Sequence, residues 1–219
     1  MKPVLVRSVA VFIIFCIGSY FGYNHVYNPE PLPIIQPSDI NNKLVDISLH
    51  KKTADHRIGS FSLTNQLGKS ISENSFSNKI YVANFIFTTC PKMCPLMTSN
   101  LSVVYDNFKG DPEISFISHS VTPEIDSVPQ LLKFAKKYNA EAPQWHFVTG
   151  EKKQIYELAR KHYFAATTNG DGGIHDFIHT ENFILVDKKK RIRGIYDGTS
   201  FDAIDQLIID LDRLKEDKL

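Results

Sequence analysis

The chain has 219 residues, of which 42% are hydrophobic and 22% charged, the composition of an ordinary globular protein with one well-packed core and some extra length. Its formal net charge is only +1. The basic patches at Lys51, Lys52 and Lys188 to Arg193 are balanced by acidic residues elsewhere, so no nucleic-acid footprint is indicated.

The N-terminus departs from this average. After Lys2 and Arg7 comes Ser8 to Tyr23, an uncharged apolar run of about 16 residues, the length of a signal peptide's apolar region or of a short membrane anchor. Tyr20, Phe21 and Tyr23 at its far end suit a membrane interface and favour the anchor, which is placed at residues 1–24. Phe15 is bulky where lipid-modified sites take small residues, so Cys16 reads as a small apolar membrane residue. Lys2 and Arg7 precede the run and no Lys or Arg follows until Lys43, a bias that keeps the N-terminus in the cytoplasm and exports the body. Export puts Cys90 and Cys94 in an oxidising compartment, where a thiol pair must be kept reduced, held by a metal or cycled. The expected location is a bacterial inner membrane with the soluble domain in the periplasm. Pro29, Pro31, Pro33 and Pro37 disfavour helix and strand interiors, so residues 25–54 read as an extended tether.

From about residue 55 the pattern alternates between strand and helix periods. Ile58 to Ser72 reads as a small hairpin broken at Asn65 to Gly68. Lys79 to Thr89 is apolar on both faces, as a central strand should be. Leu101, Val104, Tyr105 and Phe108 then recur at helical spacing. "EISFISHSV", "SVPQLLKFAKKY" with Pro129 near its start, and "WHFVTG" read as strand, helix and strand, and Glu151 to Phe164 as a third helix. "ENFILVD" and "RIRGIYDG" form an antiparallel hairpin before an amphipathic C-terminal helix. The sum is an α/β domain over residues 55–219, a central sheet with helices on both faces.

The distinctive stretch is "FIFTTCPKMCPLMT", Phe85 to Thr98. Cys90 ends the central strand, Pro91 fits a first helical position and Cys94 falls on the first turns of the helix. There the free N–H groups and the helix dipole favour thiolate over thiol. Residues four apart on a regular helix hold their Cβ atoms about 5 to 6 Å apart, wider than the roughly 3.5 to 4.5 Å of a disulfide. Backbone freedom at the cap closes that gap in principle, so a metal site, a catalytic dithiol and a structural disulfide all remain open. A metal would need a further ligand. Among eight histidines, His175 and His179 stand out, because they flank a Gly-rich loop entering a strand. Packing accounts more simply for His119 and His146, and His162 reads as surface. Two thiolates and one imidazole suit Cu(I), or Cu(II) with a weak further ligand. Met97 reads as core filler, whereas Met93 is balanced between core and ligand.

These residues resemble the Sco/SenC family, membrane-anchored thioredoxin-like proteins that deliver copper to cytochrome c oxidase. The resemblance covers Asp55 to the C-terminal helix and rests on "FIFTTCPKMCPLMT", "SFISHSVTPEID" and "FIHTENFILVDKKKRIRGIYDG". It implies a thioredoxin-like sheet, copper as the ion, and Cys90, Cys94 and His179 as its ligands. It also implies a copper-bearing oxidase subunit as acceptor and an upstream copper donor. The chain departs from the family at Ile178, where Asp usually precedes the histidine, and at Thr122, where the family has Asp; Asp176 is a candidate substitute for the first. The rival function is a thiol-disulfide oxidoreductase in which Cys90 attacks, Cys94 resolves, and the substrate is the acceptor's own cysteines. A peroxide-reducing enzyme of the same fold is a further rival.

Overall fold

The computed structural model describes residues 3–27, 31–41, 45, 49, 55–166, 170, 172–173 and 175–216. The chain divides into two compact units, Met1–Pro31 and Leu32–Leu219. The first holds helix α1, Pro3–Tyr27, whose Val11, Phe12, Ile14, Phe15 and Phe21 side chains are exposed. Among the described residues no helix is long and apolar enough to cross a membrane, so the fold does not establish the anchor expected over residues 1–24.

The second unit is built on one seven-stranded sheet in the order β2-β1-β5-β4-β3-β6-β7. Strands β1 (Ser62–Asn65) and β2 (Ser70–Ser72) form the expected hairpin. Its turn is fixed by Asn65, whose side-chain oxygen accepts from the N–H groups of Leu67 and Lys69, and by Gly68 at φ +73°. In the centre, β3 (Ile80–Ile86), β4 (Ile114–Ser120) and β5 (Trp145–Thr149) run parallel. Every residue of all three is buried, so their apolar runs belong to strands covered on both faces. Strands β6 (Asn182–Val186) and β7 (Ile192–Asp197) complete the sheet as an antiparallel hairpin, with β6 antiparallel to β3.

Alternation along the strands divides the core in two. Ile80, Val82, Ile86, Phe116, Trp145 and Phe147 face helices α2 (Met93–Asn107), α3 (Val128–Lys137) and α5 (Phe201–Glu216). Tyr81, Phe85, Ile117, Val148 and Ile184 face Ile155 and Tyr156 of α4 (Lys152–Glu157) and Leu158 and Ala159 just beyond it. Helices therefore cover both faces, three against one.

Three expectations are corrected. The helix expected over Glu151 to Phe164 is α4 followed by a π-helical turn, Leu158–His162, which swings Phe164 into the core at φ 51°. His162 is half-buried rather than a free surface residue, since its Nδ1 accepts from Gly59 N–H at 3.1 Å and its ring lies 6.4 Å from that of His56. In the tether region the described residues from Leu32 onward belong to the body. Ile35 N–H bonds Ile192 O at 2.9 Å, and the Arg193 guanidinium donates to the carbonyls of Leu32 and Pro33 while also pairing with buried Asp187. Apolar Leu32 gains a core position there, 8% exposed, which outweighs the preference of its prolines for a solvated extended chain.

Candidate metal centre

Cys90 lies at the C-terminal end of the sheet, where β3 gives way to a turn closed by Cys90 N–H to Phe87 O at 3.2 Å. The helix that follows starts at Met93, so Pro91 precedes it by two residues instead of opening it. Lys92 offers no side-chain cap. The cap is the Cys90 sulfur itself, which accepts from Cys94 N–H at 3.3 Å. Both cysteines are buried and not bonded to each other, Cys90 at 8% and Cys94 at 4% exposure.

The two sulfurs differ in charge preference. Burial raises the Cys90 thiol, but hydrogen bonds from the backbone of Cys94 and Lys92, then from the Cys94 side chain and Met93 backbone, outweigh it and hold the pKa below the ordinary value. Burial pushes Cys94 up to about 12, a bond with the Phe87 backbone opposing and the Cys90 sulfur and Asp126 carboxylate adding to the rise. A more acidic and a less acidic sulfur, side by side, form a soft donor pair and equally a nucleophile with its resolving partner.

His179 is held separately. It is exposed on the irregular chain between the π-helical turn and β6, and its ring sits edge-on to Phe87, centroids 6.4 Å apart at 63°. Phe87, three residues before Cys90, also packs against Phe177 at 5.1 Å. Among the described residues no three His, Cys, Asp or Glu side chains converge closely enough to hold a metal. The fold thus brings Cys90 and Cys94 together and leaves His179 beside them on an aromatic neighbour. His175, four residues earlier, is exposed on the same loop.

The loop carrying His179 is tied down at Asp176 and Ile178. Asp176 receives both Arg160 terminal nitrogens at 2.6 Å each and Gly172 N–H at 2.7 Å. Those bonds hold its carboxyl below the usual range, so it is committed to Arg160 and does not replace the family's acid next to the histidine. Ile178 is 3% exposed, an apolar anchor between outward-facing Phe177 and His179. The Tyr156 hydroxyl, which donates to Val121 O at 2.9 Å, also bonds Asp176 O at 3.2 Å.

The remaining histidines and methionines fall where packing puts them. His119 is fully buried and stacked on Phe85 at 4.8 Å; His146 Nδ1 bonds the Asn65 amide at 3.1 Å. Met97 is fully buried against the sheet and Met93 half-buried on the same core. Sequence reasoning missed Asp126, Arg160 and Phe87, whose roles arise from contacts 16 to 92 residues away.

Comparison with known proteins agrees with this geometry. The SCO1/SenC family model matches residues 50–216. The "SCO1 protein homolog" of Bacillus subtilis is 32% identical over 163 residues, covering 74% of this chain and 84% of that protein. The structure of BsSco, solved in identifying a disulfide switch in that member of the Sco family of cytochrome c oxidase assembly proteins, superposes with TM-score 0.64 at 32% identity, covering 75% of this chain and 96% of that one. Copper-bound ScoI of Bradyrhizobium japonicum shares the fold, with TM-score 0.58 at 23% identity over 73% of this chain and 99% of that one. Sequence, sheet and cysteine turn therefore agree that the chain belongs to the SCO1/SenC family.

Proposed function

We propose that the protein is a copper carrier that binds one ion through the Cys90 and Cys94 sulfurs and an imidazole nitrogen of His179, and passes it to the copper-bearing subunit of cytochrome c oxidase. The observation that carries the reading is the buried, adjacent pair Cys90 and Cys94, with one sulfur capping α2, a donor set matched to a soft ion. Relatives described as oxidase assembly proteins, and Sco proteins crystallised with copper, support it. His179 reaches the sulfurs by rotating off Phe87, a movement suited to an ion that must be both held and released. The N-terminal segment serves in this reading as an inner-membrane anchor with the body in the periplasm, a placement supported by Lys2 and Arg7 before the apolar run. The test is to load the reduced protein with copper and mix it with a copper-free oxidase subunit. One bound ion that moves to the acceptor, and no stoichiometric binding by Cys94→Ser, is the expected result; retention of copper by Cys94→Ser would defeat it.

The unequal acidity of the two thiols favours a second reading, exchange with the acceptor's disulfide. Cys90 thiolate attacks one acceptor sulfur and expels the other as thiolate; Cys94, deprotonated, then attacks the Cys90 sulfur of the mixed disulfide and expels the bound acceptor sulfur as thiolate, releasing a reduced acceptor and leaving Cys90–Cys94 oxidised. His179 has no part in that sequence, so oxidase assembly that survives His179→Ala but not Cys94→Ser identifies it.

A further inference from the structure

Beside the cysteine turn lies an acid that the donor set does not use. Asp126, in the loop between β4 and α3, is fully buried. Its carboxylate accepts from the Thr88 hydroxyl at 2.5 Å, Thr88 N–H at 3.3 Å, the Ser120 hydroxyl at 2.6 Å and the Thr122 hydroxyl at 3.1 Å. Gln130 extends the network, donating to Thr88 Oγ1 at 3.2 Å. Thr88 stands two residues before Cys90 and Ser120 ends β4, so the carboxylate staples together the ends of two central strands where the cysteine turn departs. Thr122 is a donor to it where the family's acid would bring a second negative charge, which explains how this chain tolerates that departure.

Hydrogen bonding satisfies the oxygens of Asp126 but does not cancel its charge. Among the described residues no Lys, Arg or His pairs with it, so its field acts through a low-dielectric interior on what lies nearby. The bonds from Thr88, two residues before Cys90, place that charge against the cysteine turn. A doubly charged ion gains about twice as much from one negative charge as a singly charged ion in the same place.

We infer that Asp126 is a positioning residue whose uncompensated charge biases the cysteine site toward Cu(II) relative to Cu(I), while its hydrogen bonds fix the turn. The inference rests on the copper-carrier reading and adds to it a determinant of which oxidation state is held more firmly. It predicts that Asp126→Asn weakens Cu(II) more than Cu(I), on the order of tenfold in the ratio of affinities for one buried charge at an effective dielectric of about 20. A tenfold change in that ratio is about 59 mV in a one-electron couple.

The test measures Cu(I) and Cu(II) affinities of the reduced full chain by chelator competition, in the native protein and three variants. Asp126→Asn should lower the Cu(II):Cu(I) affinity ratio. Gln130→Lys, which keeps the carboxylate and its hydroxyl donors and brings an ammonium toward them, should shift the ratio in the same direction even if Asp126→Asn fails to fold. Thr88→Val removes a donor and keeps the charge, so it should move both affinities together and leave the ratio within about twofold. Equal losses in both oxidation states for Asp126→Asn, or an unmoved ratio in Gln130→Lys, overturn the inference and leave the carrier reading standing. A native protein that binds neither ion overturns both.

Discussion

The cysteine turn and the histidine loop are two halves of one proposed site, built in opposite ways. The turn grows out of a fully buried central strand, its sulfur caps a 15-residue helix and Asp126 staples it to β4. The loop has no regular structure near His179, is held by the Arg160–Asp176 pair, a Tyr156 hydrogen bond and a few apolar contacts, and leaves the imidazole exposed against Phe87. The contrast teaches where precision resides. The sulfurs are positioned by the core and move only if the core does, whereas the imidazole is positioned by local anchors and can move alone.

Breaking the ion pair gives the largest expected effect. Arg160 and Asp176 side chains are each only 8% exposed, so Arg160→Met leaves a buried carboxylate unpaired and should cost about 3 to 5 kcal/mol in urea unfolding. In the folded fraction the loop should loosen while the cysteine turn stays intact, visible as faster amide exchange at Phe177 to Thr180 and unchanged exchange in α2. Equal loosening of both halves would erase the distinction between them.

Acidification probes the core that supports the turn. Burial drops His119 and His146 from 6.5 to about 4 each, so below 6.5 the unfolded chain takes up protons that the folded chain refuses. Stability is full above pH 6.5 and falls progressively as pH drops toward 4, by about 3 kcal/mol per ring. Asp176, with its carboxyl held low, adds its own loss only at lower pH, as its ion pair with Arg160 is protonated away. Urea midpoints measured from pH 7.5 to 4 should show the histidine window; a flat profile there would contradict it.

Chemical labelling sharpens the contrast between the sulfurs themselves. With Cys90 held below the ordinary thiol value and Cys94 near 12, iodoacetamide at neutral pH should modify Cys90 well before Cys94, read by peptide mass spectrometry. Faster labelling of Cys94 would reverse the assignment of nucleophile and partner. The smallest effect belongs to the exposed ring. His179→Ala should change unfolding stability by no more than about 0.5 kcal/mol, since the imidazole is a surface side chain whose ring contact in this fold is with Phe87.

Much of this was legible in the sequence. Strand β3 announced itself as a nearly continuous apolar run and β4 and β5 as shorter stretches mixing apolar residues with Ser, Thr and His, and two cysteines at the end of the β3 run located the turn. The amphipathic period of α3 and α5 and the turn residues between β6 and β7 were local signals, which local patterns carry well. Features that depend on distant partners were not legible. Nothing in the letters around Arg160 indicates that its helix widens into a π-turn to bring its guanidinium onto Asp176. The isolated Asp126 gives no sign of collecting donors from Thr88, 38 residues earlier in the chain. Prolines in the tether region suggested a free extended segment, yet Arg193, 160 residues away, captures the carbonyl of Pro33.

In the proposed site two prebuilt sulfurs and one exposed imidazole meet on a single copper ion although the fold keeps them apart. X-ray absorption of the copper-loaded protein counts the ligands directly. Two sulfurs and a nitrogen with imidazole scattering are expected, the nitrogen signal disappearing in His179→Ala. Two sulfurs with no imidazole, or a spectrum that His179→Ala leaves unchanged, would contradict it.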